Sequence, residues 1–352
     1  MDHAAAFYQD ILEHPDDRAP RLIYADWLEE QGDPRGEFIR LHCAATDLAP
    51  GDPAREPLAK RLRELLARHE QDWTDELVGP LRELLGTDVF EYDFRSGFVE
   101  ALTLPARLFL EHARALFDRV PLRRLRLLEA GPHLSDLARL AALGRLSGLD
   151  LAGSGLRESS RRVSEGFRRL AASPHLAGLR RLGLYEAGIG AEHLEQFLDS
   201  PHLSGLEVLL LGGNTLGDES AEALARAPLA AGLVTLDLAG TGLSDGGLRA
   251  LVRVGLRRLA RLNVSGNHGV SNDSLQALAE SPPAQSLTLL DLVNTGVTPA
   301  GAAALAASPH LTGLKRLFLS RKGKGKAWEA LRRRLGEGLI ITAHSWYEER
   351  LT

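Results

Sequence analysis

Two glycine-rich stretches are the residues of this chain whose types and spacing come nearest to cofactor chemistry. Residues 188–190 (Gly-Ile-Gly) start like a dinucleotide fingerprint, which places a pyrophosphate on a helix N-terminus, but His193 stands where that motif needs glycine. Residues 323–326 (Gly-Lys-Gly-Lys) lack the spacing and the hydroxyl residue of a phosphate-binding P-loop. Neither stretch therefore predicts a nucleotide site.

The sequence offers equally few candidate residues for metal binding and for nucleophilic catalysis. Three histidines stand in the recurring sequence Ser-Pro-His-Leu, at His175, His202 and His310. Only the first two are one interval apart, and two imidazoles make a weak metal site, so hydrogen bonding in a turn is favoured. Cys43 is the only cysteine, and no paired His or Cys spacing suits zinc. We expect no catalytic residue, no metal and no cofactor; the alternative is an enzyme whose site is assembled from distant residues.

The elements that would hold such residues follow a leucine period. In residues 205–231, Leu206, Leu209 and Leu211 are followed by Asn214 and Leu216. The first leucine of this pattern recurs at intervals of 27, 27, 26, 28 and 27 residues, at Leu179, Leu206, Leu233, Leu259, Leu287 and Leu314. A period of this regularity indicates stacked structural repeats.

Each repeat combines two periodicities. Leucines at its first, fourth and sixth positions predict a short strand that sends all three into one core. The apolar residues Ala221, Leu224 and Ala225 then predict a helix with one buried stripe, and Pro201, Pro282 and Pro309 stand where helices must stop. Strands pack about 4.8 Å apart and helices about 10 Å apart. We therefore expect an α/β fold: a curved solenoid with a concave parallel sheet and convex helices.

These repeats resemble the leucine-rich repeat family and, in length and helical outer side, its ribonuclease-inhibitor-like subclass. The resemblance implies that the concave strands bind a protein. It also implies an asparagine ladder at the turn after each strand, which this sequence keeps at Asn214 and Asn267. Hydroxyl residues take the position at Thr241, Thr295 and Ser154 and can form part of the same hydrogen bonds, whereas Ala130 and Ala187 cannot.

The N-terminal part is predicted to be helical, over residues 3–13, 19–31 and from Pro34 onward. Residues 19–41 (APRLIYADWLEEQGDPRGEFIRL) resemble the bacterial repeat-companion domain, which implies association with a repeat array and no catalysis. Within it we expect Trp27 in the core and Asp26 on the helix surface. Residues 44–52 are predicted to be a linker and 53–78 a helix.

We expect three domains: a helical domain with the N-terminal cap (1–95), a solenoid of about nine repeats (96–322) and a C-terminal cap (323–352). The cap is predicted to hold a helix at 327–335 and a strand at 339–343. An insertion after Leu156 carries Arg157, Arg161 and Arg162, which either contact a partner or vary without function.

Charge is unevenly placed in a chain of net charge −5. Residues 1–95 hold 22 acidic and 11 basic side chains, which gives −11 there and leaves +6 for the rest. Residues 315–334 hold nine basic residues against one glutamate. With no signal peptide, no apolar run of about 20 residues and no disulfide framework, we expect a cytoplasmic monomer that enters no membrane.

The outward positions of the strands define the predicted partner-binding surface. We expect apolar side chains rimmed by charge to face solvent there, as the centre of a protein interface does. Two other interpretations are an idle sheet of mutually neutralised charges, and binding of nucleic acid or an acidic surface by the basic C-terminal edge. The surface comprises Arg181, Tyr185, Val208, Leu210, Asp237, Arg261, Asn263, Leu289, Asp291, Arg316 and Phe318.

Overall fold

The computed structural model describes residues 3–49, 52–87, 90–153, 161–254, 257–320 and 325–342. The chain forms two compact units, residues 1–127 and residues 128–352. The first unit has five helices and three strands in its described residues. They are α1 (His3–Glu13), α2 (Arg18–Glu30), α3 (Pro34–Asp47), α4 (Arg55–Leu85), β1 (Glu91–Arg95), β2 (Phe98–Pro105), α5 (Ala106–Phe117) and β3 (Arg124–Leu128).

Aspartate side chains cap two helix starts in the first unit. The carboxylates of Asp17 and Asp33 accept the backbone N–H of Ala19 (2.9 Å) and of Arg35 (2.8 Å). Strands β1 and β2 pair antiparallel, and Ser96 in the turn between them has a left-handed φ of 54°.

Two boundary predictions in this unit are wrong. Residues 44–47 are the last turn of α3 rather than a linker, and the Thr46 hydroxyl donates to the carbonyl of His42 (2.6 Å). Helix α4 continues beyond residue 78 because Val78, Leu81 and Leu85 extend its buried stripe at helical spacing.

The core of the first unit is aromatic and contains arginine. Trp27, which was expected in the core, is half buried: its ring packs against the core and stacks on Tyr24 with centroids 6.0 Å apart. Asp26 pairs with Arg40 on the surface, as expected. Sequence patterns did not single out Arg35, whose side chain is 1% exposed and whose guanidinium lies 5.6 Å from the centroid of the Phe98 ring.

The second unit alternates short strands with helices, as the leucine period predicts. Strands β4 to β11 pair in parallel in chain order, which confirms the α/β solenoid. The strands are β4 (Gly148–Asp150), β5 (Arg181–Gly183), β6 (Val208–Leu210), β7 (Thr235–Asp237), β8 (Arg261–Asn263), β9 (Leu289–Asp291), β10 (Arg316–Leu319) and β11 (Leu339–Ile341). The helices are α6 (Leu134–Leu137), α7 (Arg161–Ala171), α8 (Ala191–Leu198), α9 (Gly217–Arg226), α10 (Asp245–Val254), α11 (Asn272–Ala279), α12 (Pro299–Ala307) and α13 (Lys326–Leu335).

One apolar core lies between the strands and the helices of this unit. Leu206, Leu209 and Leu211 are buried, as are their counterparts in the other repeats. Leu251 of α10, Leu262 of β8 and Leu278 of α11 line a common cavity. The helices therefore lie on the side of the sheet to which the fourth-position leucines point.

Asparagine side chains join neighbouring repeats at the turn after the strand. The Asn214 carbonyl accepts the backbone N–H of Gly188 (2.9 Å) and Ile189 (3.1 Å), and its amide donates to the carbonyls of Leu184 and Leu211 (2.7 Å each). Asn267, two repeats farther along the chain, makes the equivalent bonds. The hydroxyls of Thr241 and Thr295 donate only within their own repeats, to the carbonyls of Leu238 and Leu292.

A second set of side chains joins the repeats at the helix starts. Asp218 accepts the backbone N–H of Ser244 (2.7 Å), Asp245 that of Ser271 (2.8 Å), and Asn272 that of Thr298 (3.0 Å). Each acceptor thus caps the helix of the following repeat. Burial raises the pKa of the Asp245 carboxyl, but hydrogen bonds from Ser271 and Ser274 outweigh burial and hold the pKa below its ordinary value.

The last repeat is closed by α13 and β11. β11 pairs with β10, and α13 packs against α12. The Arg334 guanidinium donates to the carbonyls of Leu305 (3.0 Å), Ala306 (3.3 Å) and Ser308 (3.1 Å) at the end of α12, and also to that of Leu311. One side chain therefore satisfies carbonyls that the end of the helix leaves without intrahelical donors.

Replacing Asn214 with alanine should lower the free energy of unfolding by on the order of 1–3 kcal/mol, because buried backbone groups in two repeats lose their partner. Thermal and denaturant unfolding measure this. Thr295→Ala is the matched control: it removes one bond within one repeat and should cost less. Equal stability of the Asn214→Ala and unchanged proteins would contradict the role of the amide.

Asp245→Asn should leave the fold intact at neutral pH, since Asn272 accepts equivalent hydrogen bonds. The folded-state pKa of Asp245 is depressed, so its contribution is present above the unfolded pKa of about 3.9 and is lost as pH falls through the folded pKa. Unfolding measured against pH should therefore show a smaller loss below about pH 4 in the Asn variant. Parallel pH profiles for both proteins would refute this.

Arg334→Ala should lower the free energy of unfolding by about 1.5–3 kcal/mol, because several carbonyls at the end of α12 lose a charged donor. Arg333→Ala removes the same charge from an exposed neighbouring position and should change it by less than about 0.5 kcal/mol. If both variants melt alike, Arg334 does not hold the last repeat.

Candidate binding surface

The strands β5 to β10 stack in the predicted register. Arg181 of β5 lies opposite Val208 of β6, and the third-position residues of the next four strands continue the same row. Fifth-position residues make a second row beside it. Third-position and fifth-position side chains point away from the face that packs on the helices, because side chains alternate along a strand. We call their side of the sheet the helix-free face.

The prediction that apolar side chains on this face point into solvent is wrong for three residues. Leu210, Leu289 and Phe318 are buried, with exposed fractions of 0%, 6% and 1%. Leu289 and Phe318 form a hydrophobic cluster with Val293 and Ile340, separate from the core beneath the helices. The Arg316 guanidinium lies 4.9 Å from the centroid of the Phe318 ring and covers it further.

The predicted polar row is present and fully buried. Asp237, Asn263 and Asp291 are each 0% exposed. Their side-chain oxygens accept the backbone N–H two residues later, at distances of 2.9 Å, and so form the turn that ends each strand. The Asn263 amide also donates to the Asp237 carboxylate (3.1 Å), which joins two strands. This row thus has a structural role at the ends of the strands.

The accessible part of the face is rich in arginine. Arg261 and Arg316 are exposed, and Arg181 and Val208 are partly exposed. Tyr185, at the seventh position, is also partly exposed, and its ring occupies the space beside Gly212. A Cβ atom at Gly212 would lie 2.6 Å from that ring. The structure therefore places guanidinium groups and one phenol along a single row of strands.

Several predicted contact residues have another position or fall outside the described residues. Arg157 and Ser154 lie outside them, as do residues 321–324 of the basic edge and the side chain of Arg161. Arg162 is exposed on α7. Arg334 faces the carbonyls of the last repeat instead of a partner, so only part of the predicted basic edge is exposed charge.

The described residues give little support for metal binding or for a membrane-spanning helix. No group of three His, Cys, Asp or Glu side chains there is arranged to hold a metal. In the Ser-Pro-His-Leu turns the serine hydroxyl forms the turn: Ser200, for example, accepts the backbone N–H of His202 (3.3 Å) and donates to the carbonyl of Ala171 (2.6 Å). No helix among the described residues has the length and apolar character needed to cross a membrane.

Sequence reasoning missed two sets of structural residues. Asp218, Asp245 and Asn272 are 27 residues apart, so the repeat period itself was an available signal. Arg334 gave no such signal, because it lies beyond the last repeat and its carbonyl partners come from α12 and the turn after it.

Comparison with known proteins supports the repeat assignment. The leucine-rich repeat family model matches residues 202–225, 233–252 and 284–306. Each matched segment contains one strand and most of the following helix. A solved internalin from Listeria monocytogenes is similar, with a TM-score of 0.31 and 15% identity, covering 63% of this chain and 72% of that chain. No curated protein matches the chain. The family-model matches, together with the in-register parallel strands and asparagine-bridged turns, make the second unit a leucine-rich repeat array.

Proposed function

We propose that this protein is a noncatalytic scaffold that binds a protein partner through the helix-free face of its leucine-rich repeats. Proteins with such repeats generally act as interaction scaffolds. The observation that carries the proposal is the row of accessible third-position residues Arg181, Val208, Arg261 and Arg316 on strands held in register.

The geometry of this row suits an acidic partner surface. Arg181 and Arg261 are three strands apart, roughly 14 Å, and Arg261 and Arg316 are two strands apart, roughly 10 Å. A guanidinium binds a carboxylate through two parallel hydrogen bonds, so fixed arginines select the spacing of acidic groups. Tyr185 and Val208 add area of the kind that protein interfaces favour. The partner is therefore a protein with carboxylates spaced along one side.

We further propose that the array is of the ribonuclease-inhibitor-like subclass and that residues 19–41 belong to a repeat-companion domain. The outer helices and repeat lengths near 27 residues support the first assignment. The capped helices α2 and α3, with Tyr24 and Trp27 of α2 stacked on each other, support the second. A bacterial, cytoplasmic protein is consistent with both.

Charge reversal on the face tests the function. Arg261→Glu combined with Arg316→Glu should weaken capture of the partner by at least about tenfold, which is about 1.4 kcal/mol, because two ion pairs become repulsive. Both side chains are exposed, and circular dichroism and melting check that the fold is kept where Arg316 no longer covers Phe318. Arg249→Glu on α10, likewise exposed, is the matched control and should leave capture intact.

Salt dependence and a second set of variants distinguish this function from the alternative, which is binding through the basic C-terminal edge. If the face variant keeps its partner while charge reversal at Arg321, Lys322 and Lys324 releases it, the basic-edge hypothesis replaces this one. A nucleic-acid partner held by phosphate contacts would also be lost steeply between low and moderate salt.

A further inference from the structure

A groove lies between two neighbouring helices on the side of the sheet opposite the helix-free face. Helices α9 and α10 pack against each other, and the groove between them has a volume of about 500 Å³. Sites for small molecules have volumes of about 300–1,000 Å³. The groove is therefore large enough for a small ligand, and it is separate from the surface that we assign to a protein partner.

Guanidinium groups supply most of the charge in this groove. Arg226 of α9 and Arg249 and Arg253 of α10 line it, and all three side chains are exposed. The other lining residues are Glu222 and the small residues Ala225, Gly246 and Ala250. We call this set of residues the arginine groove. Three positive charges against one negative charge give it a net charge of two positive units.

The charges of Arg249 and Arg253 are not neutralised by the described part of the chain. Neither side chain forms a hydrogen bond or an ion pair with any described residue. The carboxylate of α10, Asp245, lies one turn before Arg249 but accepts hydrogen bonds from Ser271 and Ser274 instead. Because the two arginines are four residues apart, they lie on one side of the helix about 6 Å apart along its axis, where like charges repel.

Another pair of arginines in this unit shows how the chain neutralises such charge. Arg168 and Arg169 of α7 both pair with Glu165, at 2.7 Å and 2.8 Å. Their hydrogen bonds lower the pKa of the Glu165 carboxyl to about 2, so it stays ionised between them. In the arginine groove Glu222 pairs with Arg226, at 3.6 Å, and no second carboxylate lines the groove. An anion from solution can fill that role.

We propose that the arginine groove binds a small molecule through a phosphate group. A phosphate group carries a charge of about −1.5 to −2 at neutral pH, which matches the net charge of the groove, whereas one carboxylate carries only a single charge. A guanidinium binds phosphate oxygens through two parallel hydrogen bonds. The small side chains of Ala225 and Ala250 leave room for the rest of the ligand. The proposal does not rest on the proposed function, because the two surfaces lie on opposite sides of the sheet.

Isothermal titration calorimetry of the full chain with pyrophosphate tests the site. Arg249→Gln combined with Arg253→Gln should weaken binding by about tenfold or more, because charge-assisted hydrogen bonds are lost. Arg168→Gln combined with Arg169→Gln is the matched control: it removes the same charge from exposed positions on α7 and should leave binding unchanged. The proposal is overturned if pyrophosphate does not bind, or if both double variants bind it equally.

A variant that should strengthen binding guards against a loss of fold. Glu222→Gln removes the carboxylate that lines the groove, so the affinity for pyrophosphate should rise by about threefold or more. A misfolded protein would not bind more tightly. No rise in affinity overturns the assignment to this groove.

Two other anions identify the chemistry of the ligand. Citrate carries its charge on carboxylates and should bind about tenfold more weakly than pyrophosphate; equal affinity would mean a response to charge alone and overturns the phosphate assignment. A single-stranded oligonucleotide that binds more tightly than pyrophosphate overturns the assignment to a small molecule. No protein partner is present in these titrations, so their failure leaves the proposed function standing, and loss of capture by the Arg261 and Arg316 variants leaves the arginine groove standing.

Discussion

The second unit depends on how each repeat satisfies the backbone groups that its turns bury. A repeat of about 27 residues contains a strand of only three or four residues and one helix, so many of its peptide groups lie in the turns between them. A buried peptide group without a partner costs about 1–3 kcal/mol. Side chains from the neighbouring repeat supply those partners at both ends of the strand–helix unit. Stability is therefore a property of repeat pairs, as expected of a linear array.

Two sets of side chains supply these partners: asparagines at the turn after the strand, and Asp or Asn at the helix start. Asn214 and Asn267 use both the donor and the acceptor of an amide to bridge two repeats. A threonine hydroxyl at the same position donates within its own repeat, so those junctions depend more on leucine packing. At the helix starts a carboxylate or amide oxygen is sufficient, because only N–H donors need a partner there. Asp218, Asp245 and Asn272 meet that requirement.

The need to satisfy buried backbone groups also distinguishes the two rows of side chains on the helix-free face. Fifth-position Asp and Asn side chains form the turn that ends each strand, which leaves the third-position row as the part with accessible charge. Arginine suits that row because its stem packs along apolar neighbours while the guanidinium stays in water, as Arg316 does over Phe318. Folding uses the fifth-position row, and the recognition that we propose would use the adjacent third-position row of the same sheet.

Resemblance to the leucine-rich repeat family implied the bridging positions Asn214 and Asn267, and the sequence by itself determined the repeat period, the leucine core and the strand register. These follow from local periodicity, since the spacing of leucines fixes which side chains share a face. Only the tertiary structure decided that Leu210, Asp237 and Phe318 are buried, that Arg334 closes the last repeat, and that α4 continues past residue 78. Exposure depends on what packs over a face, and a periodic pattern gives the direction of a side chain without saying what covers it. Phe318, for example, packs against Leu289, Val293 and Ile340, which lie in the preceding repeat or beyond the last one, so these contacts cannot be read from spacing.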